Sequence, residues 1–307
     1  MLHPFRFGTG GFPAASRTEL INLARKIEDL GYATIVMPDH FEPQMSVFLS
    51  LLIMAEATTR LHIGTYVIDN DFRHPALLAK EAATLDLLSG GRLELGLGAG
   101  WKLQDYATTG IPFDPPGVRV SRLIESVQIV KRLLQGETVT FAGEYYTLQA
   151  LVGEPKPLQQ PHPPLFIGGG SKRLLSLAGR EANIVGLVPK AAGGNLDFTD
   201  ILHTATEQKL AWVRQAAGER FAALEINTLV FDVMVTENQR AAAEELGQRW
   251  GLPADAMLDS VHFLVGSVTQ IAETVQQWRE RFGISYVTVF PKDLAIFAPV
   301  VAQLAGR

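Results

Sequence analysis

The stretch LHIGTYVIDNDFRHPALLAKEAATLDLLSGGRLELGLGAGW, residues 61–101, decides the fold. It has the pattern of a strand, a polar loop, an amphipathic helix, a glycine-rich turn and a second strand, which together make one βαβ unit. The two strands run into a polar segment at 69–74 and a glycine-rich segment at 98–101. In parallel α/β proteins, ligands bind where the carboxyl ends of strands meet their loops. We therefore expect both segments to face one site.

Composition places the chain among folded proteins. It has 307 residues, 47% of them hydrophobic, and a formal net charge of −5, so a sizeable core is expected. No Lys/Arg run is present, and we expect no nucleic-acid partner. Because no apolar run is long enough to span a bilayer and the N-terminal segment lacks signal-peptide features, we expect no membrane association. The absence of cysteine excludes disulfides and suits a cytoplasmic location. Histidine spacing indicates no metal site.

Strand and helix patterns alternate along almost the whole chain, without a linker, and Ser16 is predicted to cap the first helix. Eight segments have the pattern of strands, at residues 5–8, 33–37, 61–68, 92–98, 165–168, 182–188, 226–235 and 286–290. Eight strands alternating with helices favour an α/β fold made of one (β/α)8 TIM barrel, with a hairpin at 138–148 as an insertion and a single domain over residues 1–307. A doubly wound open sheet is the alternative.

The second and third predicted strands end in candidate site residues. Asp39 and His40 follow the second strand and are predicted to contact a bound ring and to be the catalytic pair for acid–base work, because imidazole can pass a proton near neutral pH. A turn aspartate beside a surface histidine is the alternative. The third strand ends in five further candidates, for which an ordinary strand end is the alternative: Tyr66, Val67, Ile68, Asp69 and Asn70.

Two glycine-rich turns are candidates for binding a ring or an anion. Gly98, Ala99 and Gly100 lack the dinucleotide fingerprint because no helix opens directly after them; glycine there lets a planar ring approach, or simply bends the chain. The second turn joins the fifth strand to a helix and comprises Gly168, Gly169, Gly170, Ser171, Lys172 and Arg173. Free N–H groups at a helix start favour an anion, whereas a capped tight turn is the alternative.

Four motifs carry a family resemblance. They are PDHF at 38–41, DFRHPALLAKEAATLDLLSGGRLELGLGAGW at 71–101, GIPFDPPGVR at 110–119 and GGGSKR at 168–173. In this order they resemble the bacterial luciferase-like flavin-dependent oxidoreductase family, and more closely its subgroup that uses the deazaflavin coenzyme F420. The resemblance implies a (β/α)8 barrel, a flavin-type ring at the carboxyl ends of the strands and no metal.

The resemblance also implies roles for the candidate residues. His40 would lie at the reactive face of the ring beside Asp39. The end of the third strand would lie behind the ring and carry a cis peptide bond at Tyr66–Val67. The turn after the fifth strand would bind the cofactor phosphate, and Lys172 and Arg173 would serve the carboxylates in the tail of F420, which FMN lacks.

The sequence departs from relatives that act on sugar phosphates at two positions. Those relatives carry Glu where this chain has Trp101 and Trp where it has Gln44. A carboxylate general acid is therefore missing, unless Asp105 replaces it from the loop. The pocket is predicted to be apolar and aromatic, which suits an uncharged organic substrate.

We expect hydride transfer between coenzyme F420 and such a small-molecule substrate, with His40 as the proton partner. A reduced-FMN-dependent monooxygenase that activates dioxygen is one alternative, and a non-catalytic flavin-binding protein is another. Relatives commonly dimerise through their early helices, which implies a homodimer.

Overall fold

A computed structural model describes residues 3–12 and 16–307 of the chain. The strands are β1 (Arg6–Gly10), β2 (Thr34–Met37), β3 (His62–Thr65), β4 (Ile68–Asp69), β5 (Leu93–Gly98), β6 (Thr138–Ala142), β7 (Thr147–Val152), β8 (Leu165–Gly169), β9 (Ile184–Leu187), β10 (Ala191–Ala192), β11 (Asn195–Leu196), β12 (Glu225–Val230), β13 (Asp232–Val235), β14 (Phe263–Gly266) and β15 (Ile284–Val289). The helices are α1 (Arg17–Asp29), α2 (Val47–Glu56), α3 (Pro75–Leu88), α4 (Leu103–Thr109), α5 (Pro116–Leu134), α6 (Lys172–Glu181), α7 (His203–Ala217), α8 (Gln239–Trp250), α9 (Ala254–Leu258), α10 (Val268–Phe282) and α11 (Leu294–Leu304). Within these ranges, no helix has both the length and the apolar character that crossing a membrane requires.

Eight parallel strands close into a barrel. The hydrogen-bonded order is β3-β2-β1-β15-β12-β9-β8-β5, and pairing of β3 with β5 closes the ring. Each of the eight predicted strand segments supplies one of these strands, so the predicted (β/α)8 barrel is confirmed. The open-sheet alternative is excluded by the closure.

Burial patterns explain why these segments form these elements. All six residues of β5 are buried, as expected for a parallel strand covered on both faces. Helix α1 buries Leu20, Ala24 and Ile27, which recur at helical spacing along one face. Its predicted cap is present, since the Ser16 hydroxyl accepts a hydrogen bond from the N–H of Glu19 at 3.2 Å.

Two predicted strands are interrupted. The third, residues 61–68, stops at Thr65 and continues as β4 after a cis peptide bond between Tyr66 and Val67, at the position that the resemblance implied. The prediction of one continuous seventh strand over 226–235 is wrong. Strand β12 stays in the barrel, and the chain leaves it at Phe231, whose N–H donates to the carbonyl of His262 at 2.8 Å. Beyond that point β13 pairs in parallel with β14, which was not predicted.

A second hydrophobic cluster lies at the carboxyl ends of the barrel strands. Its buried members are Ile201, Phe231, Ala242, Ala243, Leu246, Met257, Phe263 and Val265. Leu229 on β12 and Phe290, directly after β15, pack against it and so connect it to the barrel. The single domain over residues 1–307 stays a prediction.

Candidate active site

Asp39 follows β2 and is held by the segment after β3. Its Oδ2 accepts a hydrogen bond from the N–H of Asp69 at 3.2 Å and forms an ion pair with Arg73. Asp39 is buried, and the guanidinium compensates the charge that burial would otherwise penalise. The end of the second barrel strand and the segment after the third therefore meet in the structure.

His40 is held by a residue from a different element. Its Nδ1 lies 2.6 Å from Oδ2 of Asp105 on α4, while Oδ1 of the same carboxylate accepts the N–H of Phe41 at 3.1 Å. The indole of Trp101 meets the imidazole edge-on, with ring centroids 5.9 Å apart. No residue in 3–12 or 16–307 forms a hydrogen bond with Nε2. His40 thus presents one ring nitrogen without a partner in the described part of the chain.

The end of the third strand supplies an interior tyrosine and a buried amide. The Tyr66 hydroxyl donates to Oδ1 of Asn227 at 2.9 Å. The amide nitrogen of Asn70 donates to the hydroxyl of Tyr146 at 3.2 Å, but Oδ1 of Asn70 is buried with no partner among the described residues. A buried carbonyl oxygen without a donor is costly, so Asn70 is suited to accept a hydrogen bond from a bound ligand.

Asp69 belongs to a buried polar network. Both of its carboxylate oxygens lie within hydrogen-bond distance of the Tyr106 hydroxyl, at 3.0 and 2.9 Å, and the N–H of Asp71 donates to Oδ1 at 3.0 Å. Burial raises the pKa of Asp69 to about 7, against the hydrogen bonds from Asp71 and Tyr106 that lower it. The Asp71 carboxylate in turn pairs with Arg122 at 2.8 Å.

The glycines after β5 pack closely against the third strand. A β-carbon at Gly98 would lie 2.5 Å from Cγ2 of Val67, and one at Gly100 would lie 2.6 Å from Oδ2 of Asp69. The small size of both residues is therefore already required by protein contacts. Approach of a planar ring to Gly98, Ala99 and Gly100 stays a prediction.

Arg119 on α5 holds the loop after β5 in place. The buried guanidinium donates to the carbonyl of Ala99 at 3.2 Å and to that of Gly100 at 3.3 Å. It also lies 3.9 Å from the centroid of the Phe113 ring. The carbonyl orientations of the loop are thereby set by a single side chain.

The turn after β8 leads into α6 with free N–H groups. The first hydrogen bond of the helix runs from the N–H of Leu175 to the carbonyl of Ser171 at 2.9 Å. The N–H groups of Ser171, Lys172 and Arg173 therefore have no acceptor within the helix, and the Ser171 side chain forms no capping bond. This arrangement suits an anion.

Gly170 and Arg173 in this turn are held by protein contacts that the sequence does not indicate. A β-carbon at Gly170 would lie 2.5 Å from the backbone nitrogen of Lys190, so the turn is pressed against the loop after β9. Arg173 donates to the carbonyl of Gly117 at 2.6 Å and to the Ser121 hydroxyl at 2.7 Å, and is thereby committed to α5. Lys172 is exposed. Anion binding at Gly168, Gly169 and the rest of the turn stays a prediction.

A cavity of about 310 Å³ lies between the loop after β5 and the β10–β11 hairpin. It is lined by Trp101, Lys102, Leu103, Gln104, Gly193, Gly194 and Asn195. Lys102 pairs with Glu42, so its charge is compensated. The side chain of Trp101 connects this cavity to His40. The expectation that the segments 69–74 and 98–101 face one site stays a prediction.

Sequence reasoning missed the residues that hold the candidates in place. Arg119 ends the motif at 110–119 but was given no role there, and the sequence indicated no contact of Tyr106 with Asp69. Gln44 donates to the carbonyl of Pro38 at 2.7 Å and so holds the loop before His40. Asp105 holds His40, a contact that spans 65 positions in the sequence.

A closed parallel barrel with its polar and glycine-rich segments at the carboxyl ends of the strands has the architecture of a barrel enzyme. Residues 1–285 match the luciferase-like monooxygenase family. The chain belongs to this family, as the motifs in its sequence indicated.

Named relatives are similar over part of their length. The chain is 31% identical over 198 residues to an F420-dependent glucose-6-phosphate dehydrogenase of Amycolatopsis mediterranei, covering 62% of this chain and 58% of that protein. It is 29% identical over 246 residues to the F420-dependent hydroxymycolic acid dehydrogenase of Mycobacterium tuberculosis, covering 78% and 64%. The alignments thus span about 60% of the length of these relatives.

A solved structure supports the fold over the whole chain. The coenzyme F420-dependent tetrahydromethanopterin reductase from Methanopyrus kandleri superposes with a TM-score of 0.79 and covers 99% of both chains. Because the two sequences are only 18% identical, this similarity bears on the barrel and not on the reaction.

Proposed function

We propose that this protein is an oxidoreductase that uses coenzyme F420 and transfers hydride between it and an uncharged organic substrate. The observation that carries the choice of cofactor is the similarity, at 31% and 29% identity, to two relatives that are F420-dependent by name. The deazaflavin would supply the two-electron chemistry, and the protein would supply binding, orientation and electrostatics.

Three features of the barrel mouth fit such a cofactor. The unpartnered Oδ1 of Asn70 offers an acceptor for a ring N–H. The free N–H groups at the start of α6 offer donors for a phosphate, and exposed Lys172 adds a cation for the carboxylates beyond it. The segments at Tyr66, Val67, Ile68 and Gly98 to Gly100 would border the ring, as the family resemblance implies.

His40 is the proton partner in this proposal. When hydride leaves a carbon that bears a hydroxyl group, the hydroxyl proton must be taken up for the carbonyl to form, and reduction reverses both transfers. Nε2 of His40 has no hydrogen-bond partner among the described residues and can hold that proton. Asp39 is bound to Arg73 and supports the loop from behind rather than exchanging protons.

The substrate is expected to enter beside Trp101. The cavity there is lined by an indole and by the amide side chains of Gln104 and Asn195, and its lysine is already paired with Glu42. Such walls favour an uncharged molecule with a few hydrogen-bonding groups over a phosphorylated sugar.

Direct titration tests the cofactor assignment. We expect apo protein to bind coenzyme F420 more tightly than FMN, with Lys172→Ala weakening F420 binding several-fold, and less so at high salt. Arg173→Ala is the matched control, because that side chain is bound to α5. Equal affinities, or binding of FMN alone, would favour the reduced-FMN monooxygenase. Binding without turnover of any alcohol or carbonyl substrate would favour a non-catalytic flavin-binding protein.

The proposal includes a cytoplasmic homodimer. Its interface would use α2 and α3, whose exposed side chains include Leu49 at 68% and Leu77 at 51% exposure. We expect light scattering to give the mass of two chains and the Leu49→Glu/Leu77→Glu variant to give one. Leu158→Glu, at another exposed leucine, should stay dimeric. A monomeric parent protein would contradict the assembly.

A further inference from the structure

The contact between Asp105 and His40 has the geometry of an oriented general base. The two atoms that meet are Nδ1 of the imidazole and Oδ2 of the carboxylate, 2.6 Å apart. The Asp105 side chain is only 5% exposed, so solvent competes weakly for this bond. The second oxygen accepts the N–H of Phe41 and fixes the carboxylate relative to the loop that carries His40.

We propose that Asp105 is a positioning residue that holds His40 in the tautomer protonated at Nδ1. An ionised carboxylate is an acceptor only, so the bonded imidazole nitrogen must carry the hydrogen. In the neutral ring the other nitrogen, Nε2, is then a lone-pair acceptor. Asp105 thus decides which nitrogen of His40 exchanges a proton with the substrate. This inference rests on the proposed function for its kinetic consequence but not for its structural one.

Asp105 does not take the place of the carboxylate general acid that the chain lacks. Trp101 directly follows the glycine loop, and the carboxylate four residues later, Asp105, reaches His40 from α4. It does not reach the substrate side, because both of its oxygens are bonded to His40 and Phe41. Asp105 therefore acts through His40, and a proton that arrives at the site is handled by Nε2 alone.

Nitrogen NMR of histidine-labelled protein tests the tautomer directly. At about pH 8, where an ordinary imidazole is neutral, the His40 spectrum should show a protonated Nδ1 and an unprotonated Nε2. Comparison with His40→Asn assigns its signals among the seven histidines. In Asp105→Asn the new carboxamide can donate to Nδ1, so the hydrogen should move to Nε2. Asp105→Glu should keep the parent tautomer.

Kinetics of the F420-loaded enzyme test the consequence. We expect Asp105→Asn to lower kcat by about 100-fold or more, the scale of general acid–base catalysis, with KM changed by less than about threefold. Asp105→Glu should recover a large part of kcat. Asp71→Asn is the matched control, because Asp71 is a buried carboxylate of the neighbouring network that does not contact His40; it should lose thermal stability but keep the tautomer.

The outcomes separate this inference from the cofactor assignment. A parent protein with hydrogen on Nε2 of His40, or an Asp105→Asn variant that keeps both tautomer and kcat, would overturn the role of Asp105 even if F420 binds. If Asp105→Asn does not fold, the parent spectrum and Asp105→Glu still decide. Failure of F420 to bind would overturn the proposed function and leave the tautomer result standing.

Discussion

Gly100 occupies a place that no other residue fits. Its φ is +73°, in the left-handed region, and a β-carbon there would lie 1.8 Å from the Tyr106 hydroxyl oxygen. We expect Gly100→Ala to lower the free energy of unfolding by about 2–5 kcal/mol, because left-handed strain of about 1–2 kcal/mol adds to an overpacked contact of about 1–3 kcal/mol. Denaturant unfolding measures this.

Gly110→Ala separates the two costs. Gly110 has nearly the same φ of +75°, but nothing lies within 4 Å of its would-be β-carbon. It should lose only the strain of about 1–2 kcal/mol. Equal losses of unfolding free energy in the two variants would mean that Tyr106 can move away from the new methyl group at little cost.

The ionisation of Asp69 makes the stability of the folded protein depend on pH. Its pKa is about 7 in the folded protein, raised mainly by burial from the ordinary value of 3.8. The folded state therefore favours the protonated carboxyl, and this contribution to stability is fully present below about pH 4 and is lost as pH rises to about 7. Asp69→Asn keeps the acceptor oxygen and cannot ionise. Its stability relative to the parent protein should improve by about 2–4 kcal/mol between these pH values.

The measurement is the difference in unfolding free energy at a series of pH values. Asp255→Asn, at an 82% exposed side chain, controls for the loss of one negative charge. A difference between Asp69→Asn and the parent that stays flat with pH would show that Asp69 ionises in the folded protein as it does in the unfolded chain.

Among the elements, α5 and the loop after β5 act as one unit through Arg119. Arg119→Lys removes the planar fork that reaches the carbonyls of Ala99 and Gly100 and stacks on Phe113. We expect a loss of about 2–3 kcal/mol in unfolding free energy, since two carbonyl partners and a ring contact are lost. The Kd for F420 should rise about tenfold, equivalent to about 1.4 kcal/mol.

Arg132→Lys on the same helix is the control, because the Arg132 side chain is 38% exposed and pairs with Glu137, which is 44% exposed. It should change neither quantity measurably. A stability loss in Arg119→Lys without any change in Kd would mean that the loop carbonyls do not border the cofactor.

The elements that the sequence predicts are those with strong local patterns. The βαβ unit at 61–101 and the cap at Ser16 depend on neighbouring residues, and both are present. Strand β14 was missed because its pairing with β13 depends on a partner about 30 positions away, and four apolar residues alone do not specify it. The partners of the site, such as Asp105 for His40, are decided by tertiary packing and have no local signal.

At the scale of the whole molecule, the candidate site and a buried cluster of charged residues lie at opposite ends of the barrel. The candidate site lies at the carboxyl ends of the strands, whereas Arg6, Glu94 and Glu225 lie near the amino ends of β1, β5 and β12. The Arg6 guanidinium bonds both oxygens of Glu225, at 2.8 and 2.7 Å, pairs with Glu94 and lies 4.2 Å from the Tyr286 ring centroid. The Arg6 side chain thus joins β1, β5 and β12. Among these three strands, β1 and β5 lie far apart in the barrel order.

Arg6→Met should therefore destabilise the fold and spare the site. Removing the cation leaves Glu94, only 5% exposed, and Glu225, 13% exposed, without their partner, which typically costs about 3–5 kcal/mol. Unfolding in denaturant measures this loss. The Kd for F420, measured where the variant is folded, should stay within about twofold, because contacts at the amino ends of barrel strands support stability rather than ligand binding.

Arg240→Met is the control. The ion pairs of Arg240 are at the surface and its side chain is 60% exposed, so this variant should lose less than about 1 kcal/mol of unfolding free energy. An equally small loss in Arg6→Met would mean that water replaces the guanidinium at the barrel base, and a weakened Kd would mean that the two ends are coupled through the strands.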